Sequence, residues 1–143
     1  PAQFRAVVER VRSGGMSLCE AERLEMGFTH SESGQALGEH WRLPDEIVDV
    51  IAWHHEVEQA KRNVALTALV HLADELCLRH GLDNGLPEPA ETDLREDPAW
   101  NLLTRVYPYL SEADLEQFHL EMKEFTRQVT AMVGSLFGAH RAA

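Results

Sequence analysis

Four residues of this chain have the types and order that can hold a metal ion: His30, the adjacent His54 and His55, and Asp74. Imidazole and carboxylate are natural ligands for zinc, iron or manganese. Each stands where the surrounding pattern is apolar. His54 follows Ile47, Val50 and Ile51 on a core-facing stripe, Asp74 borders the stripe that contains Ala73, and His30 opens a helix. A buried carboxylate or imidazole is costly unless it is paired, hydrogen-bonded or metal-bound. Adjacent helical residues point about 100° apart, so the histidine pair can serve two metals, or one metal and a substrate. Taken singly, each residue also has a plainer reading. A histidine on an apolar face is commonly a satisfied core group, and Asp74 can cap a helix or pair with a nearby histidine.

The elements that must carry these groups read as helices throughout. Phe4, Val7, Val8 and Val11 recur at helical spacing over 2–12, and Ser13-Gly14-Gly15 stops them. Ser17 to Glu20 has the form of a capping box and opens a second helix, with Ala21 and Leu24 inward and Gly27 as its stop. Thr29 to Glu32 repeats the box, which sets His30 at a helix N-terminus, with Gly34, Leu37 and Trp41 facing one way. Pro44 suits the first position of the next helix. A polar stretch from Glu56 to Asn63 precedes a helix over about 64–80, with Leu66, Leu69, Val70, Ala73 and Cys77 inward.

Residues 82–97 read as an acidic loop, Asp97-Pro98 as a helix start with Leu102, Leu103 and Val106 inward, and 111–137 as a long last helix opened by Ser111. Its stripe of Leu115, Phe118, Met122, Phe125, Val129, Met132 and Leu136 alternates steps of three and four, as a heptad seam does. It can pack on the body or form a partner or homodimer contact. Trp41 and Trp53 read as core anchors, His40 and His71 as structural, and His80 and His119 as solvent-facing. No strand pattern occurs. The prediction is a single all-α domain over 1–143, a compact bundle of about seven helices.

The 143 residues carry 24 acids against 13 bases, a net charge of −11. That balance argues against nucleic-acid binding, which needs a basic face. No apolar run approaches the roughly 20 residues that span a bilayer. The two cysteines, Cys19 and Cys77, form no CxxC pair and read as small buried apolar residues of a reducing compartment, which points to the cytoplasm. Residues 83–124 hold 11 acids and three Lys or Arg, so the acidity sits in the loop and the start of the last helix.

Four ordered motifs resemble the HDOD (HD-related output domain) family. Glu22 to Gly34 is similar to its E…G-hydrophobic-x-H-x-x-x-G stretch, and Leu37 to Pro44 to L-x-x-x-W-x-L-P. Ile51 to His55 resembles I-x-x-H-H, and Val70 to Asp74 resembles V-x-L-A-D. Order and spacing agree over about 1–82. The resemblance implies a bundle of the HD-domain type and a module of bacterial signalling proteins, mostly non-catalytic, joined to sensor or output domains and acting through protein or small-ligand contacts. In the wider superfamily of HD metal-dependent phosphohydrolases, the positions of His30, His54, His55 and Asp74 can ligate a divalent ion. That superfamily's first histidine and His-Asp doublet lie upstream of these, and this chain has no His-Asp dipeptide. The chain therefore resembles the C-terminal part of a larger HDOD region. His54-His55 is followed by Glu56-Val57-Glu58 without a Gly-Tyr-Pro loop, a departure from the cyclic di-GMP phosphodiesterases.

Three readings stay open on these residues. The first is a non-catalytic regulatory module. The second is a metal-dependent phosphohydrolase acting on a nucleotide or phosphodiester, in which a metal-bound hydroxide attacks phosphorus. The third is a buried polar network in which Asp74 only orients a histidine.

Overall fold

The computed structural model describes residues 2–80 and 93–137, with side chains through 135. Among the described residues seven α-helices follow one another: α1 (Ala2–Ser13), α2 (Leu18–Met26), α3 (His30–His40), α4 (Asp45–Trp53), α5 (Val64–Arg79), α6 (Pro98–Val106) and α7 (Leu115–Phe137). Short 3₁₀ turns sit at Val57–Gln59, Leu94–Glu96 and Pro108–Glu112. No strand occurs among the described residues. The all-helical expectation is met, and the predicted acidic loop lies outside the described residues up to position 92.

Local signals decide most helix ends. Both capping boxes form: the Ser17 hydroxyl accepts the Glu20 N–H while Glu20 accepts the Ser17 N–H, and Thr29 and Glu32 do the same. Gly27 closes α2 at φ 83°, a left-handed conformation that costs glycine nothing. Pro98 occupies the first turn of α6 behind Asp97, whose carboxylate accepts the Ala99 N–H at 2.7 Å. The start of α7 differs from expectation. Ser111 belongs to a 3₁₀ turn, and Asp114 caps the helix by accepting the Gln117 N–H at 3.0 Å. Pro44 is the residue before α4 rather than its first residue.

Two apolar clusters hold the helices. Val7, Val11 and Ala21 lock α1 against α2. Ala68, Leu72 and Leu76 of α5 pack with Ala99 and Leu103 of α6, together with Val57, Leu94 and Leu115. Between them, α3 crosses α4 where side chains are absent: a Cβ on Gly34 would lie 2.6 Å from the Ile51 Cγ2, and one on Gly38 would lie 3.2 Å from a Val48 methyl. The loop after α4 is tied down by buried Asp49, whose carboxylate accepts the backbone N–H groups of Lys61 and Arg62 at 3.1 and 2.9 Å.

Several faces differ from the sequence expectation. Leu24, Leu37, Trp41 and Ile47 are exposed, and Trp41 keeps 65% of its surface, so it is no core anchor. On α5 the buried residues are Thr67, Ala68, Leu72 and Leu76, while Leu69, Val70 and Ala73 face outward. Apolar residues occupy nearly every side of this helix, so periodicity alone misjudges its phase by about one residue, or 100°. On α6 Leu103 is buried, whereas Val106 is exposed. The α7 seam divides: Leu115, Met122 and Val129 turn inward with His119 and Thr126, whereas Phe118, Phe125 and Met132 stay exposed. Leu136 lies beyond the described side chains. His80 and His119 are half-buried rather than solvent-facing, with ring centroids 6.3 Å apart.

Candidate functional site

The first turn of α3 and the end of α4 build the site. The Thr29–Glu32 box fixes where α3 starts, and thus where His30 stands. The close crossing at Gly34 and Gly38 brings the C-terminus of α4 beside that turn. Because α4 ends at Trp53, the two histidines after it are not splayed by continued helix: their ring centroids lie 4.1 Å apart, and both rings lie near His30, at 5.5 Å for His54 and 4.9 Å for His55.

His30 is oriented by a carboxylate. Glu22, buried at 3% exposure on α2, accepts both the backbone N–H and the ring Nδ1–H of His30 through one oxygen, each at 2.8 Å. The positive end of α3 favours the charge on that carboxylate. With its proton committed to Nδ1, His30 turns Nε2 toward the Nε2 of His55, 2.9 Å away. Burial, then the charges of His54, His30 and His71, push the His55 pKa down to about 3, so its ring is neutral. Such a pair either shares one proton or turns both lone pairs on a cation. A carboxylate behind a histidine is the arrangement that fixes the tautomer and raises the basicity of metal-binding imidazoles.

A thiol completes the group. Cys19 Sγ and one ring nitrogen each of His30 and His55 lie within 4.8 Å of one another. Thiolate with two imidazoles suits zinc, and three protein ligands leave a fourth position open. These residues fit a divalent ion.

His54 and Asp74 are not among those three donors, although the His54 ring packs 4.1 Å from that of His55. The His54 ring donates Nδ1–H to the Ile51 carbonyl at 2.9 Å, and burial lowers its pKa. Asp74 lies on the exposed side of α5 and acts on His54 through its field. The carboxylates that orient histidines here are Glu22 and Asp97, not Asp74.

Asp97 forms a second buried pair. The His71 Nδ1–H donates to the His54 carbonyl at 2.6 Å and Nε2–H to Asp97 at 3.1 Å. Both ring nitrogens face acceptors, an arrangement that favours the doubly protonated ring. Burial opposes the charge on His71, but the bonds to Asp97 and His54 outweigh it and the pKa is raised. Burial likewise opposes the charge on Asp97, yet His71 and the α6 backbone hold its pKa below the ordinary value. An open cleft of about 520 Å³ joins both pairs, with Cys19, Ser31, His55, His71 and Asp97 on its wall.

Sequence reasoning missed Cys19, Glu22, His71 and Asp97 as site members. Glu22 stood inside a quoted motif and Asp97 was legible as a helix cap, but neither signal names the histidine each one meets.

No curated protein and no solved structure matches the chain. A family model matches residues 1–57, a segment that holds His30, His54 and His55 and ends before Asp74. That model is the HDOD domain, an HD-related output domain, and the family resemblance holds over residues 1–57 of this chain.

Proposed function

We propose that the chain is a non-catalytic regulatory module of the HDOD type, from a bacterial, cytoplasmic signalling protein, whose histidine cleft takes one divalent ion on Cys19, His30 and His55. The observation that carries this reading is the convergence of those three donor atoms, with Glu22 orienting His30 from behind. The ion would supply a fixed positive charge and cross-link α2, α3 and the end of α4. His71 and Asp97 then shape the neighbouring cleft for a small ligand, and the exposed row Phe118, Phe125 and Met132 offers a contact to a protein partner or a second copy.

Cobalt titration tests the site. Binding should give a near-ultraviolet thiolate-to-cobalt absorption that Cys19→Ser removes and Asp74→Asn leaves in place. Cobalt binding without a thiolate band, abolished instead by Asp74→Asn, refutes the assignment.

The second reading, a metal-dependent phosphohydrolase on His30, His54, His55 and Asp74, draws on the size of the cleft beside His55, which lies within the roughly 300–1,000 Å³ of small-molecule sites. Turnover of bis(p-nitrophenyl) phosphate by manganese-loaded protein, lost in Asp74→Asn, would establish it.

A further inference from the structure

We infer a second ligand site, for a small phosphate-bearing anion, between the end of α5 and the middle of α7. Arg79, His80 and Thr126 line one cleft there, and they carry four polar atoms to account for: Arg79 Nε and Nη2, His80 Nε2 and Thr126 Oγ1. All four are buried and have no hydrogen-bond partner among the described residues. Buried polar groups are nearly always partnered, and one without a partner calls for a missing ligand or ion. A guanidinium only donates, so what is missing opposite Arg79 is an acceptor. Nε and Nη2 form one edge of the guanidinium, the edge that grips two oxygens of a single oxyanion.

The surroundings repeat the same chemistry. These residues border an open cleft of about 730 Å³, with Lys123, Arg127 and Thr130 on the same wall. Three of the chain's 13 Lys and Arg thus face one cleft in a molecule of net charge −11. Arg127 is already engaged by Glu124 at 2.8 Å, so Arg79 and Lys123 supply the attraction. A carboxylate offers two oxygens, whereas a phosphate offers enough to meet the guanidinium edge, the imidazole and the Thr126 hydroxyl together. The cleft exceeds what a bare phosphate fills and matches the size of small-molecule sites, so the ligand is a phosphorylated small molecule.

Calorimetric titration with inorganic pyrophosphate is the test. Saturable binding is expected, weakened about tenfold or more in Arg79→Gln, which loses a charged two-point contact. Lys123→Gln, an exposed change that spares the fold, should weaken it about threefold. Arg5→Gln on α1 removes the same charge elsewhere and should leave binding unchanged. Circular dichroism checks that each variant keeps its helices. No saturable binding, equal binding by Arg79→Gln, or equal weakening by Arg5→Gln overturns the site.

Discussion

Replacing Gly34 by alanine tests how the fold sets the site. The new Cβ would lie 2.6 Å from the Ile51 Cγ2, well inside van der Waals contact. That methyl is fixed directly on the Ile51 Cβ, and β-branched side chains are stiff at χ1 in a helix, so it has no easy retreat. Overpacking of this kind costs about 1–3 kcal/mol. Alanine regains about 1 kcal/mol of helix propensity over glycine. The net is a loss of up to about 2 kcal/mol, read from urea denaturation. The same substitution at Gly134, which has nothing within 4 Å, should instead be neutral or stabilising by up to about 1 kcal/mol. His30 lies one turn before Gly34 and His55 one turn beyond Ile51, so parting the helices also stretches the 2.9 Å contact between their Nε2 atoms. Cobalt affinity should fall with stability. Adding Ile51→Leu moves the branch off Cβ and should restore much of both. A Gly34→Ala chain as stable as the parent, with unchanged cobalt affinity, would refute the argument that this crossing positions the histidines.

Three further outcomes follow from the geometry. The His71 pKa is raised above its ordinary 6.5, so its contribution is fully present below 6.5 and fades as pH rises through the raised value. Asp97 is held below its ordinary 3.8, so its contribution fades only as pH falls below that. The pair therefore contributes fully between those two ordinary values. Asp97→Asn should cost about 3 kcal/mol near pH 5.5 and less above neutrality; an equal loss at both pH values sinks the pairing argument. Thr29→Ala removes the cap that starts α3 and should lower denaturation free energy by about 1 kcal/mol, with Thr29→Ser recovering most of it; equal stability of Thr29→Ala and parent would show that the cap is idle. If the exposed α7 row is a dimer seam, the parent sediments as a dimer at high concentration and Phe125→Asp as a monomer, with little change in stability because Phe125 is 58% exposed; identical sedimentation excludes the seam.

Much of the backbone was legible because its signals are local. The boxes at Ser17 and Thr29, the stop at Gly27 and the Asp97-Pro98 start each act within four residues, and each forms as read. The clustering of His30, His54 and His55 was legible too, since one sits at a marked helix start and the doublet at a marked helix end. What failed was the facing of helices with apolar residues on several sides. On α5, small Ala68 packs against α6 where Leu69 or Val70 would not fit as closely, and that preference depends on a helix about 30 residues away.

That phase decides the chemistry at the histidines. His71 and Asp74 are three residues apart on α5, so their side chains point about 60° from each other around the axis. With Ala68, Leu72 and Leu76 against α6, His71 and Glu75 turn to the cleft and Asp74 turns outward. Two carboxylates then reach the cleft from that side, Glu75 of α5 and Asp97 of the α6 cap, and Asp97 is already committed to His71 and the Ala99 N–H. In the proposed regulatory reading Asp97 serves as a structural anion, and the Cys19 thiol is the third donor beside His30 and His55. The packing of α5 on α6, rather than the motif alone, therefore decides which α5 carboxylate faces the cleft: Glu75, not Asp74.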